Sequence, residues 1–219
     1  MERSMTEINY DTWERREAYE FFSGISNPFY MVTFKLDVTD LYDFSKARGI
    51  SFYKSLIWVC TKAMNQIDAF RVTSKDGKIF MLDRRNPSFT DLKPGGRQFY
   101  VVTIDYVDDI EAFCREAKVA SEKQNFFIDK TKETESLVYY SCLPWIEMTA
   151  LTNERDYSSP DYANDSIPHI AWGKYTEEGN RKKLGFSIEI NHRFVDGVHI
   201  GMLAEKMEAE MKHLKKSLS

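Results

Sequence analysis

The stretch Asn191-His192-Arg193-Phe194-Val195-Asp196-Gly197 holds the residue types best suited to proton chemistry in this chain. An imidazole changes charge near neutral pH, so His192 suits the removal of a proton from a weakly acidic hydroxyl. Such a base works best with its ring held in one tautomer. A histidine at the end of a strand, just before a turn, can be held by backbone carbonyls. Gly197 permits the tight backbone that brings Asp196 close. Alone, His-x-x-x-Asp-Gly is a weak signal: in an arbitrary chain it more often marks a packed histidine before an ordinary turn. The other histidines are His169, His199 and His213. His199 sits just inside the last helix and His213 in its basic end.

A frame must position these residues, and the sequence patterns outline it. Asp11 is expected to cap a first helix to about Gly24, with Trp13, Tyr19 and Phe22 as apolar positions. Phe29 to Leu36 alternates, with Tyr30, Val32, Phe34 and Leu36 on one side, which predicts a half-buried strand. Thr39 is expected to cap a helix ending at Gly49, and Ser51 a longer one through Ile67. Phe70 to Ser74 and Lys78 to Leu82 flank Asp76-Gly77, a hairpin turn signal. Phe99 to Ile104 reads as a strand and Val107 to Glu122 as a helix with carboxylates in its first turn. Leu137 to Leu151 reads as a long β-rich run, with Pro144 marking a bend or an edge. Asn153 to Pro168 reads as a loop, Lys183 to Asn191 as the last strand. A final helix starts near Val198 and ends in the cationic stretch Lys212 to Lys216. The fold class is α/β, a mixed sheet flanked by helices, with residues 1–219 expected to form one domain.

Composition narrows the function classes. With 30 basic and 34 acidic residues, the net charge of −4 disfavours nucleic acid as a partner. Three widely spaced cysteines, Cys60, Cys114 and Cys142, offer no Cys-x-x-Cys pair, so neither a metal site nor a disulfide framework is expected. No apolar run approaches the roughly 20 residues of a membrane span, and the polar N-terminus lacks a signal-peptide core. A cytoplasmic protein without membrane contact is expected.

The chain also resembles the CoA-dependent acyltransferase superfamily, and chloramphenicol acetyltransferases in particular. The resemblance rests on an ordered series of short matches. Trp13-Glu14-Arg15-Arg16-Glu17 is similar to the family's first helix. Phe52-Tyr53, Phe70-Arg71, Lys75-Asp76-Gly77, Leu82-Asp83 and Pro87-Ser88-Phe89-Thr90 follow. Then come Leu143-Pro144-Trp145, Gly173-Lys174-Tyr175 with Glu178-Gly179, and finally His192 with Asp196-Gly197-x-His199. Each match is weak, but their order across nearly the whole chain is specific.

The resemblance implies acetyl-CoA as co-substrate and direct acetyl transfer to an acceptor hydroxyl, with His192 as general base. Both substrates bind together, so positioning supplies much of the rate. It further implies that Asp196 pairs with Arg15 as structural support, that Lys174 and Tyr175 lie near the adenine end of CoA, and that Phe99 lines the acceptor pocket. It implies a homotrimer with sites between subunits.

Several positions depart from the family pattern. Counting from Trp145, the serine that stabilises the oxyanion falls on Ala150; losing one such donor typically costs roughly 10²–10³ in turnover. Thr152 shares the face of Ala150 along the strand and could take the role only if the strand shifts; a backbone N–H or a water is the alternative. Phe22 stands for a pocket tyrosine and Ala171 for a threonine. Ser26-Asn27-Pro28 differs from the usual stretch, Asn191 replaces a histidine, and the Asn153 to Pro168 loop is about four residues longer than expected. Three functions stay open on this reading: a chloramphenicol acetyltransferase, a same-fold transferase for another alcohol, and a CoA-binding protein with weak or no catalysis. A dihydrolipoyl acyltransferase core shares the histidine motif but is the less expected reading, since such a core is expected behind a lipoyl-type domain and a flexible linker.

Overall fold

The computed structural model describes residues 5–93, 95–159 and 161–218. Pro160, within the predicted loop, lies outside them. In chain order the elements are β1 (Met5–Glu7), α1 (Arg16–Ser23), β2 (Phe29–Asp37), α2 (Thr39–Arg48), α3 (Phe52–Asn65) and a single turn, α4 (Asp68–Arg71). They continue as β3 (Val72–Lys75), β4 (Lys78–Leu82), β5 (Asn86–Leu92), β6 (Phe99–Thr103), α5 (Ile110–Lys123) and β7 (Leu137–Leu143). The last are β8 (His169–Gly173), β9 (Thr176–Glu178), β10 (Arg181–Asn191) and α6 (Gly197–Lys216).

A seven-stranded sheet runs in the order β2-β10-β8-β7-β5-β6, with β9 pairing to β10. β7 is parallel to both β5 and β8, and the other pairs are antiparallel, so the sheet is mixed as expected. A small sheet, β1-β4-β3, stands beside it. Its β3–β4 hairpin turns at Asp76 and Gly77, both with positive φ (50° and 74°), the conformation an Asp-Gly pair tolerates best.

One face of the large sheet carries Phe34, Leu36, Phe89, Tyr140, Trp172, Phe186 and Ile188, which pack with α3 and α6 into one apolar core. Helix α3 opens on Ser51, whose hydroxyl accepts from the Lys54 N–H, and buries Leu56, Ile57, Val59, Cys60 and Met64. Cys60 and Cys114 are buried free thiols within the apolar core. Among the described residues no helix is long and apolar enough to cross a membrane.

Local chemistry corrects several expectations. Asp11 does not cap the first helix: it lies in a 3-10 turn, Tyr10–Thr12, whose cap is Asn9. Helix α1 therefore starts only at Arg16, which leaves Arg15 at the cap position with its side chain free to reach elsewhere. Thr39 is the first residue of α2 rather than its cap, because Asp37 already accepts from both the Thr39 N–H and its hydroxyl (3.1 and 2.7 Å). The strand predicted from Phe70 begins at Val72, since Asp68 to Arg71 close a helical turn. Strands β5 and β8 had no clear alternation to announce them.

The largest correction concerns Leu137 to Leu151. The strand stops at Leu143, and a turn follows Pro144, with the Ile146 N–H donating to the Leu143 carbonyl (3.3 Å). The chain then crosses β8 and β10 at very close range. A Cβ on Gly185 would lie 2.0 Å from the Met148 carbonyl oxygen, and one on Gly173 2.6 Å from the Met148 nitrogen. Only glycines admit this crossing. The segment then follows β10: Leu151 accepts from Ser187 Oγ (3.2 Å), and the Asn153 N–H donates to Glu189 (2.9 Å).

Arg85 ties the far side together. Fully buried, it donates to the carbonyls of Phe70, Val72, Leu137 and Ser166 at 2.6, 3.2, 3.1 and 3.0 Å. It anchors the starts of β3 and β7 and the end of the 153–168 loop with one side chain.

Candidate active site

His192 follows β10 directly. Its N–H donates to the Pro28 carbonyl (2.8 Å), one residue before β2, so the strand pairing fixes where it stands. The imidazole lies between two rings. Phe22 of α1 stacks on it, with centroids 3.9 Å apart and planes 20° apart. Tyr30 of β2 packs at 4.2 Å and 38°. The Tyr30 hydroxyl, pushed up to about 12 by burial, stays protonated and donates to the Val195 carbonyl (3.3 Å).

One ring nitrogen, Nε2, lies 3.2 Å from Asp196 Oδ1. The side chain is 31% exposed, enough for a substrate to reach it. Burial between the two rings disfavours the charged form and lowers the His192 pKa below its ordinary value, although Asp196 pulls the other way. At neutral pH the ring is therefore uncharged. With one nitrogen facing Asp196, the other carries a free lone pair.

Asp196 caps α6. Its side chain accepts from the His199 N–H, while His199 Nδ1 accepts from the Asp196 N–H (2.9 Å). This is a capping box with histidine in the place usual for glutamate. Arg15 meets the same carboxylate with both terminal nitrogens; the contact to Oδ1 is 2.6 Å and Nη1 bonds Oδ2. Arg15 also donates to the His192 carbonyl (2.7 Å) and, through Nε, to the Arg193 carbonyl (3.0 Å). The guanidinium holds the Asp196 carboxyl below the usual carboxylate range. The predicted Arg15–Asp196 pair is thus present, and it grips the backbone of the histidine turn as well.

Of the remaining predicted residues, all but Phe22 stand apart from His192 within one chain. Phe22 touches the base itself. Ala171 is buried in β8 opposite Ser141 and Ser187. Phe99 is 47% exposed on β6, against Phe127, at the opposite edge of the sheet from β2. Ala150 lies outside any strand, so the face argument linking it to Thr152 does not hold; both residues are exposed. Tyr175 packs on Tyr42 and Phe52, with Lys182 above the Tyr42 ring at 4.8 Å, and Lys174 beside it is exposed. This cluster flanks the start of β10, about 30 Å from His192 at roughly 3.3 Å per strand residue.

Sequence reading missed three contributors: Tyr30 against the ring, His199 in the capping box, and Arg193. An Asp-x-x-His at a helix start is close enough to a capping box to have signalled the second. Tyr30 required the β2–β10 register.

Solved structures share this architecture. A chloramphenicol acetyltransferase superposes with a TM-score of 0.85 at 22% identity, covering 95% of this chain and all (100%) of that one. A probable dihydrolipoamide acetyltransferase from Listeria monocytogenes gives 0.64 at 16% identity, covering 95% of each chain. The fold is therefore that of the CoA-dependent acyltransferases. Among curated proteins, the chloramphenicol acetyltransferase of Escherichia coli is 25% identical over 205 residues, 93% of this chain and 92% of the relative. That of Clostridium perfringens is 27% identical over 198 residues, 88% of each. The chloramphenicol acetyltransferase family model matches residues 3–208, and the chain belongs to that family of acyltransferases.

Proposed function

We propose that this chain transfers the acetyl group of acetyl-CoA to the hydroxyl of a small alcohol, with His192 as general base. The observation that carries the reading is the imidazole itself: uncharged, packed between Phe22 and Tyr30, held at one nitrogen by Asp196, and open to solvent at 31%. The free nitrogen takes the acceptor proton as the hydroxyl oxygen attacks the thioester carbonyl. The tetrahedral adduct then expels the CoA thiolate, which recovers the proton from the imidazolium. No acyl-enzyme forms. Arg15 and Asp196 hold the turn and stay outside the proton path.

Lys174 and Tyr175 are assigned to the nucleotide end of CoA. Their distance from His192 suits an extended ligand, and a lysine there offsets phosphate charge. The acceptor is chloramphenicol or a comparable amphipathic alcohol; Phe22, Ala171 and the 153–168 loop favour an alcohol other than chloramphenicol. Ala150 supports a second reading, a CoA-binding protein with little turnover. A homotrimer completes the site: His192 and Phe99 belong to opposite regions of one sheet, and among the described residues the nine-residue edge strand β2 pairs on one side only, which leaves the other for a neighbour.

A thiol-release assay with acetyl-CoA and a panel of alcohols, chloramphenicol among them, tests the proposal. The His192→Ala variant should lose roughly 10²–10⁴ in turnover and keep its CoA affinity. Parent-like turnover in that variant refutes the assignment; CoA binding with no turnover on any alcohol in the parent selects the second reading.

A further inference from the structure

We infer that Arg193 is a positioning residue for His192, and that it acts by clamping the 3-10 turn Tyr162–Asn164 beneath the histidine turn. The inference rests on His192 being the base, but its geometry is independent of that reading.

Arg193 is 7% exposed, too buried for a free surface charge. Its Nη1 donates to the Ala163 carbonyl (2.7 Å) and to Asn164 Oδ1 (2.8 Å). Its Nη2 donates to the Tyr19 hydroxyl (2.6 Å), and the guanidinium lies over the Tyr19 ring at 4.3 Å. These three acceptors are neutral oxygens from two separate parts of the chain. The arginine therefore acts as a geometric fork rather than as one half of an ion pair.

Asn191, on the other side of His192, binds the same turn. Its Nδ2 donates to the Ala163 and Asp165 carbonyls (2.8 and 3.0 Å), and its Oδ1 accepts from the Arg193 N–H (3.0 Å). Both neighbours of His192 thus hang on one peptide, Ala163. The turn reaches His192 by a second route as well. The Tyr162 hydroxyl donates to the Ser26 carbonyl, and two residues on, the Pro28 carbonyl accepts from the His192 N–H. Arg155 anchors the far end of the turn, bonding Glu189 (2.9 Å) and Asp165.

None of these bonds touches the imidazole. They fix the backbone on both sides of residue 192, and that backbone decides where the ring enters between Phe22 and Tyr30. The loop, the Ser26-Asn27-Pro28 stretch and Asn191 are scattered in sequence, yet they meet in this one cluster. The inner end of the loop is then part of the catalytic frame and cannot open as a lid without moving the base.

The test uses the full chain and three variants: Arg193→Lys, Arg193→Met and Asn164→Ala. Lysine keeps the charge but cannot present the fork, so it should not rescue. In the thiol-release assay kcat should fall about tenfold in both Arg193 variants and about threefold in Asn164→Ala, with KM for both substrates within about twofold. In parallel, ring-carbon NMR of labelled histidine, with the His192 signal identified by its loss in His192→Gln, should show that signal displaced while His213 is unmoved. If Arg193→Met does not fold, the other two variants carry the test. Parent-like kcat together with an unmoved His192 signal in Arg193→Lys and Asn164→Ala overturns the inference. So does a rise in KM alone with an unmoved signal, which would make the loop a pocket wall only. A parent that acetylates nothing would count against the base assignment, while a displaced His192 signal in the variants would still support the clamp.

Discussion

Replacing Arg15 by alanine should destabilise the fold and disable the site together. The side chain is 12% exposed and makes two contacts to Asp196 and one each to the carbonyls of His192 and Arg193. Breaking a buried pair from one side costs about 3–5 kcal/mol, since a charge is left unpaired. Asp196 is 36% exposed, so water recovers part of that. Screening by water leaves about 0–2 kcal/mol for the pair, and the two carbonyls, with net hydrogen-bond contributions of about 1 kcal/mol each, bring the expected loss to about 2–4 kcal/mol. In a chain of this length each kcal/mol moves Tm by about 2–4 °C, so a fall of about 5–15 °C is expected. The assay is thermal unfolding of Arg15→Ala, Asp196→Asn and the double variant. The double variant should lose much less than the sum, because the partners act on each other. The pH dependence has a definite sign. Arg15 lowers the folded pKa of Asp196, so the pair's stabilisation is complete above the unfolded carboxylate value of about 3.9 and disappears as pH falls through the lower folded value. The gap between parent and Arg15→Ala should therefore narrow below about pH 4. Additive single effects, or a gap that stays constant into strong acid, would refute the pair as the source of the stability.

Other outcomes follow from the same geometry. The acid limb of kcat/KM should fall below about pH 6.5, the ordinary histidine value, because burial lowers the His192 pKa; a limb at pH 7 or above contradicts a desolvated base. The same lowered pKa means that folding resists protonation, so this group costs stability as pH drops through the unfolded value of about 6.5. Phe22→Ala should rehydrate the ring and move that limb upward while reducing turnover; an unmoved limb would show that the stack at 3.9 Å does not set the pKa. Gly185→Ala should cost about 1–3 kcal/mol in urea unfolding, since its methyl would meet backbone rather than a yielding side chain; parent-like stability would mean that the Met148 crossing is loose.

How far the sequence could be read depended on whether the signal was local. The histidine motif, the Asp-Gly hairpin and the Ser51 cap are encoded within a few residues, and each stands where it was expected. The Arg15–Asp196 pair spans 181 residues and came only from the resemblance. Strand β5, with Pro87 inside it, and β8, a short apolar run, lack the alternation that marks half-buried strands. The β-rich composition of Leu137 to Leu151 hides the turn after Pro144, since a proline in such a run suits a bend or an edge equally well. What decides otherwise is the crossing over Gly173 and Gly185, residues far along the chain. Nothing local to Arg193 signals its role, because its acceptors, Ala163, Asn164 and Tyr19, lie far away in the sequence.

The crossing also decides how Ala150 can matter. Leu151 bonds Ser187, and Ser187 lies five steps along the chain from His192, about 17 Å at roughly 3.3 Å each. A side chain at position 150 therefore cannot reach an oxyanion forming at the histidine of its own chain. It can serve only a site built with a neighbour, and this makes the oxyanion question and the trimer question the same experiment. Ala150→Ser alone should raise turnover by up to about 10², the lower end of what one donor supplies. The decisive version puts two substitutions, Ala150→Ser and His192→Ala, on one polypeptide and mixes it with the unaltered chain during refolding. The double variant alone has no base and should be nearly inactive. In an equal mixture half the chains keep His192, and half of those face a serine-bearing neighbour. About a quarter of all sites then gain the donor, and the mixture should exceed the parent by about 25-fold for a gain of 10². If position 150 served its own chain, every serine would sit beside a missing base, and the mixture would run at about half the parent rate. A rate at or below the parent's, in mixtures shown by mass to contain hybrids, would sink the composite site.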